Sequence, residues 1–215
     1  MSTWVKRLTN HARLRAVLDA PAVFYGFRFL LVGRQTATRE LLRRYLDVRP
    51  GERVLDVCCG VGEFAGDVGG EYTGIDLNPR FVGAARRRYA GSPGKGFRVM
   101  DALRMDFPDR HFDKCLFVNG LHHFSDPDAV RVLSEIRRVT RDRAVIVDAD
   151  GTPRGLARRI LLASDRGDWM RTPTSLEQLV GSVLTVRESV RFRVGFYAEL
   201  LFACDPNGGT ASGTR

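Results

Sequence analysis

The chain has 215 residues, a length that suits one domain with a small appendage and allows a substantial buried core. Hydrophobic residues make up 44% and charged residues 27%, an ordinary balance for a soluble globular domain. The longest apolar run, 23–32, is broken by Arg28 and is too short to cross a bilayer. The net charge is +9 and is uneven: residues 1–50 hold ten Lys and Arg against three Asp and Glu, whereas 51–150 hold fifteen against sixteen.

That basic front end could meet nucleic acid, an anionic membrane surface or an acidic substrate. No recognisable nucleic-acid module accompanies it. Arg outnumbers Lys throughout, and a solvated helix face is the plainer reading. No uninterrupted apolar core follows Lys6 and Arg7, which sets the expectation of a cytoplasmic protein without a signal peptide. Cys58, Cys59, Cys115 and Cys204 have neither zinc-ligand spacing nor a disulfide framework and are expected as reduced, mostly buried thiols; no metal site is expected.

In chain order, residues 4–19 read as a basic amphipathic helix with Trp4, Leu8, Leu14, Val17 and Leu18 near helical spacing, stopped by Pro21. Residues 23–32 form a second apolar helical piece, carrying Phe24, Tyr25, Phe27 and Phe29. Residues 35–46 form a third helix, ended by the turn chemistry of Pro50-Gly51. The periodicity then changes. Strands are expected at 53–57, 71–75, 97–100, 112–118 and 143–148. Helices are expected after the glycine loop and at 79–90 and 127–139. This alternation implies parallel βαβ units in a three-layer α/β domain. Residues 175–184 look helical, and the runs 186–194 and 196–204, separated by little more than Gly195, have the pattern of an antiparallel pair. The domain reading is a helical cap or lid over 1–46, a ligand-binding domain over 47–206 and a disordered tail over 207–215.

The most informative stretch is Val54-Leu55-Asp56-Val57-Cys58-Cys59-Gly60-Val61-Gly62-Glu63-Phe64. Gly60 and Gly62 permit a tight turn and a close approach of ligand to backbone, and taken alone they also fit a dinucleotide loop. Asp56 at the end of the first strand would repel a pyrophosphate. It would attract a ligand bearing ammonium and sulfonium charges, such as S-adenosylmethionine (SAM), which carries no phosphate. The plainer role for Asp56 is to cap the loop through backbone N–H groups. Asp76 ends the second strand, where a carboxylate can accept from ribose hydroxyls of NAD or SAM; it could instead cap the helix near Pro79, although Asn78 is better placed for that. Asp101 follows the third strand, within reach of an adenine amine if not a simple loop-tip carboxylate. Three acids on successive strand ends coincide with the edge at which doubly wound sheets bind ligands.

With these residues in view the sequence resembles the class I SAM-dependent methyltransferases. Within them it is distantly similar to the small-molecule group that includes quinone-biosynthesis C-methyltransferases. VLDVCCGVGEF, YTGIDLNPRFVGAARRRY, FRVMDALRMDFPDRHFD and KCLFVNGLHHFSDPDAVRVLSEIRRV occur in family order. The resemblance implies a Rossmann-like, seven-stranded, mostly parallel sheet ending in an antiparallel hairpin, with SAM as cofactor. It implies that Asp56, Gly60 and Gly62 line the methionine moiety, with Cys58 also in the cofactor site, that Asp76 holds the ribose, that Leu77 packs beside the adenine, that Asp101 and Ala102 meet the adenine edge, and that Asn119 lies under the cofactor near the methyl. The family usually has glycine at the position of Cys58. No Asn/Asp-Pro-Pro-Tyr/Phe follows the fourth strand; Asn119-Gly120-Leu121-His122-His123-Phe124 stands there instead.

The implied function is methyl transfer to a small-molecule acceptor, aromatic, quinone-like or lipid. His122 and His123 are the candidate general bases, or else one packs and the other caps the helix near Asp126. The rival readings are a non-catalytic SAM-binding regulator, an NAD(P)-dependent oxidoreductase and an RNA methyltransferase. The N-terminal segment is read as a lid, an extra core helix or a peripheral membrane contact.

Overall fold

A computed structural model describes residues 35–152, 168–195 and 197–208. The helices expected over 4–19 and 23–32, and with them the aromatic strip and the candidate lid or membrane contact, lie outside the described residues.

The described chain runs α1 (Thr36–Leu46), β1 (Arg53–Val57), β2 (Glu71–Asp76), α2 (Pro79–Arg88), β3 (Lys95–Val99), β4 (Phe112–Val118), α3 (Asp126–Val139), β5 (Thr140–Ala149), α4 (Pro173–Gly181), β6 (Thr185–Val194) and β7 (Tyr197–Asp205). The seven strands form one sheet in the order β3-β2-β1-β4-β5-β7-β6. β1 to β5 are parallel, and β7 pairs antiparallel with both β5 and β6. The Rossmann-like α/β sandwich with its reversed last hairpin is therefore as expected from the sequence.

Strand alternation sorts the core into two layers. Val54, Tyr72, Leu116, Val145, Val147 and Leu201 face α1 and α2, which bury Leu42, Leu46, Val82 and Ala85 against them. Leu55, Val57, Ile75, Cys115, Phe117 and Ile146 face α3 and α4, which bury Val132, Leu133, Ile136, Leu176 and Val180. Each helix thus contributes one apolar stripe to a three-layer packing.

The helix ends follow local chemistry. Asn78 caps α2, its side chain accepting from the Arg80 N–H, with Pro79 in the first turn. Ser125 caps α3 and Thr172 caps α4 in the same way. Asn207 and Gly208, assigned by sequence to the tail, are fastened: the Gly208 N–H donates to Asp205 at 2.9 Å and its carbonyl accepts from Thr185 at 2.8 Å.

One expected element does not form. After Gly62 the backbone makes successive turns through residue 67 instead of a helix. The reason is local. Gly66 and then Gly69-Gly70 sit where helix interior would be needed, and each such glycine disfavours helix by about 1 kcal/mol relative to alanine. Tyr89 holds the alternative: its hydroxyl donates to the Gly62 carbonyl at 2.9 Å and accepts from the Gly66 N–H at 3.1 Å.

Candidate functional site

β1 and β4 are neighbours although two strands intervene in sequence, so the strand order reverses between them. Their C-terminal ends mark the switch point at which such sheets open a crevice. The glycine loop, Asp76, Asp101, Asn119 and the His122 turn all emerge on this edge.

The glycine loop is pinned to its strands. The Cys59 N–H donates to the Ile75 carbonyl at 2.9 Å, and the Gly60 N–H donates to Asp76 Oδ2 at 2.9 Å. Gly62 has φ +70°, and a Cβ there would stand 2.7 Å from Phe97, whose ring stacks on Tyr89. Both backbone and space therefore demand glycine at 62. Cys58 occupies the left-handed region at φ +57°, a conformation in which any L side chain is strained; this is the physical ground for glycine at that position in the resembling family.

Asp76 spends one lone pair of each oxygen on the backbone, Oδ2 on Gly60 and Oδ1 on the Asn78 N–H at 2.8 Å. Burial raises its pKa despite these two bonds. A carboxylate so fixed retains further acceptor capacity. Leu77 beside it is 67% exposed, a large apolar side chain presented at the crevice edge. Asp101 is exposed and accepts from the Leu103 N–H at 2.9 Å, while Ala102 is buried.

Asp56 is placed differently from its sequence reading as a loop cap. It is buried to 2% exposure, and its carboxylate accepts from the Tyr72 hydroxyl, not from backbone N–H groups. Strand alternation turns it beneath the loop toward the α1 and α2 layer. Burial pushes its pKa up to about 7, against the pull of the Tyr72 bond and with the help of nearby Asp76 and Glu63. Burial likewise raises the Cys58 thiol, and Asp76, Asp56 and Asp101 add to the effect.

Two polar networks flank the end of β4 on opposite faces of the sheet. On the α1 side, Asn119, left-handed at φ +52°, donates to Glu199 at 3.0 Å, and Thr38 donates to the other Glu199 oxygen at 3.2 Å. Gln35 at the head of α1 donates to Glu63 in the glycine loop at 3.1 Å, and Arg39 donates to the Glu63 carbonyl and pairs with Asp67. α1 thereby clamps the loop to the sheet.

On the α3 side, the short helical turn Leu121–His123 carries the candidate bases. His122 is buried, and its Nδ1 lies 2.5 Å from Asp148 Oδ1. Asp148 Oδ2 also accepts from the His122 N–H at 2.8 Å, so one carboxylate fixes both the ring and its backbone. Because an ionised carboxylate only accepts, Nδ1 carries the proton of this bond. His123 is exposed, its ring centroid 4.4 Å from that of His122. Neither histidine caps α3, because Ser125 accepts the Asp128 N–H itself. Arg171 braces the turn, donating to the carbonyls of Leu121 and Phe124 and pairing with Asp126.

Sequence reasoning missed Gln35, Thr38, Tyr72, Asp148 and Glu199. The available signal was a polar side chain inside an apolar strand or helix face, which must find a partner when buried.

Residues 54–143 match a family model described as a methyltransferase domain. The demethylmenaquinone methyltransferase of Bacillus cereus (strain AH187) is 30% identical over 122 residues, covering 53% of this chain and 51% of that protein. The chain thus spans about half the length of the curated relatives it matches. A SAM-dependent methyltransferase from Aquifex aeolicus superposes with a TM-score of 0.64 at 20% identity, over 88% of this chain and 96% of that one. The Haemonchus contortus phosphoethanolamine N-methyltransferase 2 superposes with a TM-score of 0.71 at 14% identity, over 89% and 58%. At these identities the two structures establish the shared fold.

Proposed function

We propose that this chain, whose residues 54–143 match a methyltransferase-domain model, is a class I SAM-dependent methyltransferase that binds SAM at the switch-point crevice and transfers its methyl group to a small-molecule acceptor. The observation that carries the reading is Asp76. It sits at the end of β2, locked by Gly60 and Asn78, with exposed Leu77 next to it and Asp101 beyond the neighbouring strand. These residues suit a ribose and an adenine: a doubly accepting carboxylate, an apolar face and an acceptor for an exocyclic amine. A pyrophosphate suits them badly. It needs a helix N-terminus after the glycine loop, and here the loop continues into turns above a buried acid.

SAM supplies an electrophilic methyl group on a sulfonium. The protein must hold the acceptor within about 3–3.5 Å of that carbon and exclude water. Gly60 and Gly62 let the backbone approach, and Asn119 lies at the end of β4, where the reacting groups would meet. His122 is the general base of this proposal. With Nδ1–H committed to Asp148, its Nε2 is the nitrogen that takes a proton, and Asp148 stabilises the imidazolium formed. Such a base serves an acceptor that arrives protonated, such as a phenol or a reduced quinone.

The test is incubation with SAM and a panel of phenolic, quinone and lipid acceptors, read by mass spectrometry for the gain of one CH2. A chain that binds SAM and methylates none of them would instead fit a SAM-binding regulator.

A further inference from the structure

Trp169 is the one aromatic residue among the large exposed apolar side chains of the described residues, at 50% exposure. Its indole makes no ring contact and no hydrogen bond with any of them. A single exposed apolar side chain says little by itself. The main chain around this one says more. The Trp169 N–H donates to the carbonyl of His122 at 3.1 Å. The Trp169 carbonyl accepts from Arg171 at 3.2 Å, and the same guanidinium donates to the carbonyls of Leu121 and Phe124, on either side of the two histidines. The Gly151 N–H donates to the Arg171 carbonyl at 2.8 Å, which ties this stretch to the end of β5.

Trp169 is therefore fastened by its backbone to the proposed base itself, at the crevice edge, while its indole is left out of the packing. Arg171 is buried and pairs with Asp126, so its charge is spent within the protein. A large aromatic face on a fixed main chain costs little further ordering when a ligand covers it.

His122 narrows what that ligand is. An imidazole works best as a base on a group whose acidity is not far from its own. A hydroxyl on an aromatic ring ionises at about pH 10, and one on a saturated carbon far higher. The hydroxyl that His122 can serve thus stands on a planar ring, and a planar ring is what an indole stacks against.

Resting on the methyltransferase reading, we infer that Trp169 is the specificity-determining residue of the acceptor site: its indole is the platform on which the ring of a hydroxylated aromatic acceptor stacks, with the hydroxyl toward His122. Arg171 acts through it, as the residue that holds platform and base in one frame. An aliphatic lipid acceptor has no ring to offer this face.

The experiment uses 2-naphthol and decahydro-2-naphthol, which share a skeleton and a hydroxyl but differ in planarity. Their affinities are measured by calorimetry on the full chain saturated with S-adenosylhomocysteine. Wild type should bind 2-naphthol about tenfold more tightly than the saturated compound. Trp169→Ala should bring the two within about twofold and leave S-adenosylhomocysteine affinity level, whereas Trp169→Phe should keep most of the preference. Absence of a preference in wild type, or the same preference in Trp169→Ala, overturns the inference and leaves SAM binding standing. If Trp169→Ala loses S-adenosylhomocysteine as well, Trp169→Leu, apolar but not planar, takes its place, and an unchanged preference there overturns it equally. If wild type fails to bind S-adenosylhomocysteine, the methyltransferase reading itself fails, and this assignment with it.

Discussion

Asp56 offers a stability measurement that needs no ligand. Its carboxyl is buried and has its pKa raised from 3.8 to about 7, chiefly by burial. In the unfolded chain the group ionises near its ordinary value, so between about pH 4 and 7 the folded state binds a proton that the unfolded state does not. Stability then falls as pH rises through that window and levels off above it. The slope is about 1.4 kcal/mol per pH unit. Over the two units from pH 5 to the folded pKa, this group alone removes about 2–3 kcal/mol. Asp56→Asn keeps an acceptor for Tyr72 and abolishes the titration. Urea denaturation at pH 5 and pH 8 should show wild type losing about 2–3 kcal/mol more than the variant across that interval. Equal losses, or a greater loss in the variant, would refute the placement of an ionisable acid in this buried position.

SAM or S-adenosylhomocysteine at about 100 times its dissociation constant should stabilise the fold by roughly 2.7 kcal/mol, read as a raised melting temperature, and NAD should not; a shift with NADH alone contradicts the cofactor reading. Asp76→Ala removes the anchor of Gly60 and Asn78 along with the proposed ribose acceptor. It should weaken SAM binding by about 1.5–3 kcal/mol or more, whereas unchanged affinity by calorimetry would reduce Asp76 to a loop anchor. Gly62→Ala meets Phe97 at 2.7 Å and a left-handed backbone; a loss of about 1–3 kcal/mol in unfolding free energy is expected, and a neutral result would show that the loop conformation is wrong. If His122 takes the acceptor's proton, His122→Gln and Asp148→Asn should both lower kcat by about 100-fold or more while the affinity for SAM stays level. Raising the pH should restore His122→Gln for an acceptor that ionises unaided, and a kcat that stays level in both variants removes the base.

What could be read from the sequence was what local pattern controls. Period-two and helical spacing located the strands and the main helices to within a few residues, because one face of each element is buried. Asn78 was readable as a cap because Asn before Pro supplies both the acceptor and the fixed φ. The turns after Gly62 were not readable from the motif alone. The tyrosine that stabilises them lies 27 residues downstream, and only the fold brings it back.

The same distance hides the networks of the candidate site. His122 meets Asp148 across 26 residues, and Thr38 meets Glu199 across 161. Yet each acid leaves a local trace. Asp148 follows the apolar run Ala144 to Val147, and Glu199 stands between Ala198 and Leu200 in a strand otherwise apolar through Cys204. A charge in such a run needs donors when buried, because desolvation without them costs several kcal/mol. Strand pairing sets Asp148 opposite Leu200 and Ala149 opposite Glu199, so the two acids emerge together at one end of β5 and β7, on opposite faces. One faces the histidine turn and the other the head of α1. The reversed β7 is what brings Glu199 to the crevice: run parallel to β5, the strand would carry that residue, near its start, to the far edge of the sheet.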